Sequence, residues 1–221
     1  MAKMSIPGDW TFQNTEVAAA FDSHVREQLP WYDLATGAIA HIGRHYVPDG
    51  GTVVDIGAST GNVGRALAPT LEQRKARLIA IDNSSEMGGV YSGPGRFQVA
   101  DARTFDFSSE KPDLIVAFLV LMFVPVPDRG ELISRMKAAL RPGGAIIVFD
   151  KMHARAGHLG SVIYRLTLAA KYEAGASPEE IIQKELSLAG VQRPMSEREL
   201  PGFEPVFRFG DFAGFIFERP S

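Results

Sequence analysis

The apolar run TVVDI at 52–56 leads without a break into the glycine-rich GASTGNVG at 57–64. A β-branched run that enters such a loop and continues as a helical pattern specifies a strand, a tight turn and a helix, the unit from which parallel sheets are wound. Further β-rich runs at 77–81, 96–99, 113–119 and 145–149 alternate with helical patterns at 62–71 and 128–140. In the second helix Leu132, Ile133, Met136, Ala139 and Leu140 recur at helical spacing, and Pro142-Gly143-Gly144 stops it. Residues 33–46 also read as a helix. Downstream, 155–172 is amphipathic, and Ser177-Pro178-Glu179-Glu180 offers a cap, a proline at the first helical position and acids in the first turn of another helix. The closing stretch PVFRFGDFAGFIFE alternates aromatic residues around Gly210-Asp211, which predicts a hairpin.

These elements predict an α/β fold, a Rossmann-like seven-stranded and mainly parallel sheet with helices on both faces and a C-terminal antiparallel hairpin. One domain is expected over 1–221, with a helical cap over 1–48 and a helical insertion over 151–190. The 221 residues suffice for one sizeable core. With no cysteine, disulfides, thiolate nucleophiles and zinc-thiolate sites are excluded, and the five histidines predict no metal centre. A net charge of −3 argues against a wholly basic surface and leaves a local nucleic-acid face open. The apolar run at 114–124 falls short of the roughly 20 residues that cross a bilayer. No apolar stretch of the signal-peptide kind lies in residues 1–10, so the expectation is a cytoplasmic protein without a membrane span.

Charge decides what the loop holds. A dinucleotide site has the spacing G-x-G-x-x-G, but Ser59 stands where the middle glycine belongs, and no Lys-Ser or Lys-Thr completes a phosphate loop. Asp55, two residues before Gly57, repels a diphosphate and suits a cation. S-adenosylmethionine (SAM) carries an ammonium and a sulfonium and no phosphate. The next strand ends in AIDNSS, which sets Asp82 to accept from both ribose hydroxyls, and VADA sets Asp101 near an adenine edge. Three acids at successive strand ends fit one adenosyl ligand.

The D-x-G-x-x-x-G loop, the ribose acid and RPGG at 141–144 resemble those of the class I SAM-dependent methyltransferases. Within that superfamily the chain is similar to the carboxy-SAM synthases of the tRNA wobble-uridine pathway, through GDWTF at 8–12, LPWY at 29–32, AIDNS at 80–84, IIQK at 181–184 and FRFGDF at 207–212. The resemblance implies SAM contacts at Tyr32, Gly57, Ala58, Ser59, Asp82, Asn83, Asp101 and Ala102, and a homodimer. Asp55 and Gly61 of the loop and Phe118 at the fourth strand complete the candidate set. Two positions depart from the family pattern: Glu185 stands where an arginine grips the extra carboxylate of carboxy-SAM, and Phe118 where an asparagine is used. Like charges about 4 Å apart at an effective dielectric near 20 repel by roughly 4 kcal/mol, so Glu185 is expected to oppose a carboxylated ligand unless Arg193 folds back into the role.

The expected activity is therefore methyl transfer from SAM to an unidentified small-molecule or nucleobase acceptor. Carboxy-SAM synthesis from SAM and prephenate, use of carboxy-SAM, and SAM binding without catalysis are the alternatives. No catalytic base is assigned, because Lys151 and His153 read as solvated loop residues. Lys151, Arg155, Arg165 and Lys171 form a basic segment with no acid before Glu173, suited to an anionic substrate.

Overall fold

A computed structural model describes residues 6–153 and 156–221. Its seven strands are β1 (Thr52–Ile56), β2 (Arg77–Asp82), β3 (Arg96–Val99), β4 (Leu114–Phe118), β5 (Ala145–Lys151), β6 (Glu204–Phe209) and β7 (Phe212–Glu218). They form one sheet in the order β3-β2-β1-β4-β5-β7-β6. The first five run parallel, and β7 pairs antiparallel with both β5 and β6. This is the expected architecture.

Helices cover both faces: α1 (Thr15–Gln28), α2 (Tyr32–Gly43), α3 (Asn62–Gln73), α4 (Ser85–Val90), α5 (Phe107–Glu110), α6 (Val126–Ala139), α7 (Gly157–Glu173) and α8 (Pro178–Ser187). Every residue of β1 and β4 is buried, as a strand sandwiched between helical layers requires. Side chains alternate between two cores. Val53, Leu114 and Val116 pack with Ile39 of α2 and Leu67 of α3, whereas Val54, Ile115 and Ala117 pack with Leu132 and Met136 of α6.

Local chemistry sets the element ends. Asn14 Oδ1 accepts from the amides of Glu16 and Val17 and starts α1. Ser177 and Glu180 form a reciprocal capping box at α8. Gly210, the first residue of the two-residue hairpin link, has φ +57°, the position a type II′ turn gives to glycine. The helix expected at 33–46 begins one residue earlier and ends at Gly43. The helix expected at 155–172 begins at Gly157, and Arg155 lies outside the described residues.

The expectation of no metal centre passes over one pair: His41 and His45, one turn apart, have ring centroids 5.7 Å apart. Among the described residues no third ligand gathers around them. No helix of the described residues is long and apolar enough to cross a membrane.

The strand order reverses direction at β1, which has β2 on one side and β4 on the other. Chain connections leave the carboxyl ends of these strands toward opposite faces, and a crevice opens there. Two buried ionisable side chains fasten the segments beside it. Asp150 of β5 accepts from the amides of Leu121 and Met122 at 2.7 and 3.3 Å, tying the turn after β4 to the next strand. Arg129 of α6, 1% exposed, donates to the carbonyls of Val124 and Arg193 at 3.0 and 2.7 Å and pairs with Glu199 at 3.1 Å.

Candidate functional site

A single cavity runs from the carboxyl edge of β1, β2 and β4 to the inner faces of α1, α7 and α8. Ten of the eleven candidate residues line it: Tyr32, Asp55, Gly57, Ala58, Ser59, Asp82, Asn83, Asp101, Ala102 and Phe118. Gly61 does not. Its φ of +92° caps α3, and a Cβ there would strike the backbone of Gly93, so Gly61 shapes the loop from behind. Gly57, with φ +64°, faces Val120 so closely that any side chain would collide with it.

At the sheet end, each carboxylate has a different setting. Asp82 Oδ2 accepts from the Ser59 amide and Oδ1 from the Ser84 amide, both at 2.9 Å, so this acid holds the glycine loop against β2. Burial raises its pKa while these amides oppose the rise. Each oxygen keeps a lone pair for a ribose hydroxyl. Asp55 is fully buried beneath the loop, and its Oδ2 has no hydrogen-bond partner. Burial, then the charge of Asp82, pushes it up to about 8. An orphaned carboxylate oxygen in the cavity wall fits a bound ammonium. Asp101 is clasped by Arg103, Nη2 to Oδ2 at 2.6 Å, which holds its carboxyl below the ordinary range. Arg103 also reaches Asp128 of α6 at 3.0 Å. Bound SAM supplies a methyl carbon on a positively charged sulfur that leaves as a neutral thioether.

Asp55 carries a pH signature. Below about pH 8 the free protein holds a proton there, and a bound cation favours the ionised form. Cation binding in that range therefore expels the proton. For the free chain the sign is opposite: a raised carboxyl pKa favours the fold at low pH, and that advantage is lost as pH rises through about 8. Calorimetry of SAM binding at neutral pH, in buffers of different ionisation enthalpy, should show proton release that disappears in Asp55→Asn; equal release by both proteins would place the proton elsewhere.

Tyr32 stacks on Phe118 with centroids 4.9 Å apart, and the Arg26 guanidinium carbon lies 5.4 Å from the Tyr32 ring centroid. Burial raises the Tyr32 hydroxyl above its ordinary value, which keeps it a neutral donor. Trp31 packs into the core beside Phe212, 4.7 Å away.

The far end of the cavity differs from expectation. Glu185 faces Lys171, Nζ to Oε1 at 2.8 Å, with Lys151 and Lys184 also in the wall. Burial pushes Glu185 up, but Lys171 and Lys151 outweigh it and hold the carboxyl below its usual value. The expected repulsion of a carboxylated ligand is thus offset by Lys171 and Lys151. Arg193 does not replace the missing arginine: its side chain is exposed and outside the cavity, and its backbone carbonyl serves Arg129. Among the described residues no arginine lines the cavity. Of the basic segment, Lys151 and Lys171 face inward and Arg165 is exposed. Lys151 is not a solvated loop residue, since its Nζ donates to Gln192 Oε1 at 2.9 Å. His153 is exposed.

The pattern of residues did not single out His24 or Gln28 and gave no role to Trp10 of GDWTF or Lys184 of IIQK, yet all four are buried in the cavity wall. His24 and Gln28 are one turn apart on α1, and His24 Nε2 and Gln28 Oε1 have no partner. Lys184 Nζ lies over the Trp10 indole. Burial and then Lys171 lower Lys184 to about 6, and burial followed by Lys184 lowers His24 to about 4. The i, i+4 spacing of His24 and Gln28 was the only available signal, and it does not tell an inner helix face from an outer one.

Known proteins are similar to this chain. A model of the methyltransferase domain matches residues 53–144. The chain is 29% identical over 222 residues to a carboxy-S-adenosyl-L-methionine synthase of Staphylococcus epidermidis, covering 95% of this chain and 97% of that protein. It is 31% identical over 196 residues to the enzyme of the same name from Shewanella amazonensis, covering 85% of this chain and 79% of the other. Among solved structures, the N-methyltransferase NodS of Bradyrhizobium japonicum superposes with a TM-score of 0.54 at 16% identity, over 87% of this chain and 98% of NodS. Human N-acetylserotonin methyltransferase, crystallised with SAM, superposes with a TM-score of 0.58 at 12% identity, over 94% of this chain and 56% of that one. The chain belongs to the class I SAM-dependent methyltransferases, enzymes that use SAM, and within them to the family of the carboxy-SAM synthases.

Proposed function

We propose that this enzyme transfers a methyl group from SAM, in the cytoplasm, to a negatively charged small molecule or nucleobase-containing acceptor, and that it does not make carboxy-SAM. SAM spans the sheet end, with Asp82 at the ribose, Asp101 at the adenine and Asp55 at the ammonium. Tyr32, Gly57, Ala58, Ser59, Asn83, Ala102 and Phe118 complete that wall. The observation that carries the reading is the far wall, where Glu185 is neutralised by Lys171 and no arginine is present among the described lining residues. A carboxylate on the sulfonium needs a fixed two-pronged donor, and lysine offers only a point charge. Lys151, whose Nζ donates to Gln192 and not to a carboxylate among the described residues, leaves positive charge for an acceptor anion.

Methyl transfer from a sulfonium needs mainly alignment of nucleophile, carbon and sulfur. The closed walls of Trp10, Phe12 and Phe123 supply an apolar boundary for that alignment.

A second reading, carboxy-SAM synthesis, draws on the same surplus of lysine and on the names of the relatives. Incubation of the purified protein with SAM and prephenate, followed by mass spectrometry of the nucleoside products, separates the two. The expected outcome is no carboxy-SAM, with methyl label from SAM passing to an anionic compound of a cell extract. Formation of carboxy-SAM sinks the first reading.

A further inference from the structure

Two polar atoms in the cavity wall lack partners, and both belong to α1. His24 and Gln28 are 8% and 7% exposed, line the cavity, and stand four residues apart on one face of the helix. Among the described residues, nothing bonds to His24 Nε2 or Gln28 Oε1. An unpaired buried polar group costs stability, and apolar side chains of similar size would have closed the same wall without that cost. Two such groups on one stripe point to a ligand that satisfies them.

The adjoining wall is aromatic. Trp10 stacks on the His24 imidazole with centroids 5.7 Å apart, and Phe12 meets Trp10 and Phe123 edge-on at 5.8 and 5.0 Å. All three rings line the cavity. Walls of this kind favour a flat ring, which packs by edge or face against other rings.

The orphaned atoms decide which group that ring carries. Gln28 Oε1 only accepts. Burial, then Lys184, lowers the imidazole to about 4, so at neutral pH His24 is uncharged and its Nε2 can carry the ring's one hydrogen. A carboxylate has no hydrogen for Gln28 Oε1, and an ammonium accepts nothing from Nε2–H. A hydroxyl does both: it accepts from Nε2–H while its own hydrogen goes to Oε1, so one group satisfies both atoms.

We propose that His24 and Gln28 are specificity-determining residues that bind a ring hydroxyl of the methyl acceptor between them, with the ring against Trp10, Phe12 and Phe123. The inference rests on the reading that the far end of the cavity receives the acceptor, and it narrows that acceptor to a hydroxylated aromatic compound.

Saturation-transfer NMR titrations of the protein with phenol and with toluene, in the presence of S-adenosylhomocysteine, test this. The two probes match in shape and differ in the hydroxyl. The wild type is expected to bind phenol about tenfold more tightly than toluene. Gln28→Leu, and His24→Phe, which keeps a ring on Trp10, should each cut that preference about fivefold, and the double variant should bind toluene at least as well as phenol. Each variant removes an unpaired buried polar atom, so its melting temperature is expected to hold or rise. A wild type without the preference, a preference that survives in the double variant, or variants that melt well below the wild type would overturn the proposal. Methyl transfer to a compound of a cell extract is a separate readout. Its absence with the phenol preference intact fails the methyl-transfer reading alone, and transfer without the preference fails the hydroxyl subsite alone.

Discussion

Asp82→Ala is expected to weaken SAM binding by about 100-fold or more, because hydrogen bonds to a charged acceptor contribute about 1.5–3 kcal/mol each and two ribose hydroxyls are lost together. A second effect adds to the first. The amides of Ser59 and Ser84 lose their acceptor, so the loop that cradles the ligand loses its tie to β2. Asp82→Asn keeps one acceptor oxygen and should lose about tenfold. Isothermal titration with S-adenosylhomocysteine, which lacks the sulfonium, measures the adenosyl part alone. Wild-type affinity in Asp82→Ala would move the ribose to another part of the cavity. Asp101 provides the contrast: its carboxylate already carries the Arg103 clasp, so the ligand gains less from it.

Arg129→Leu is expected to cost about 3 kcal/mol of stability, the scale for removing one partner of a buried ion pair. Glu199 loses its cation, and the carbonyls of Val124 and Arg193 lose their donors. For a chain of this size the loss corresponds to a melting temperature lower by about 6–12 °C. Because Arg129 does not line the cavity, affinity for S-adenosylhomocysteine well below the melting temperature should persist. A melting temperature unchanged by the substitution would mean that the 193–199 segment is held without Arg129.

These residues differ in how legible they were. Asp55 and Asp82 could be read because a parallel sheet sends every strand's carboxyl end to the same edge, so position in a strand fixes position in the site. Ser59 in place of glycine and the absence of a phosphate-loop lysine narrowed the ligand by local rules alone. His24 and Gln28 carried no such address, and IIQK placed Lys184 in a motif without saying where its side chain points. They lie on helices whose rotation about their axes is set by packing, and a 3.6-residue period alone does not say which stripe faces a cavity.

Glu185 illustrates the limit most directly. From the chain alone it stood as an unopposed negative charge in the place of an arginine. In the fold Lys171 from the preceding helix meets it at 2.8 Å, with Lys151 from β5 nearby, and the two lysines offset its charge. The sequence by itself determined the sheet, the strand ends at which its acids gather and the identity of the cofactor, because those follow from strand order, turn chemistry and charge counted along one segment. Only the tertiary structure decided the character of the far end of the cavity, because the field there is a sum over side chains from α1, β5, α7 and α8 that meet across the cavity and are remote in the chain.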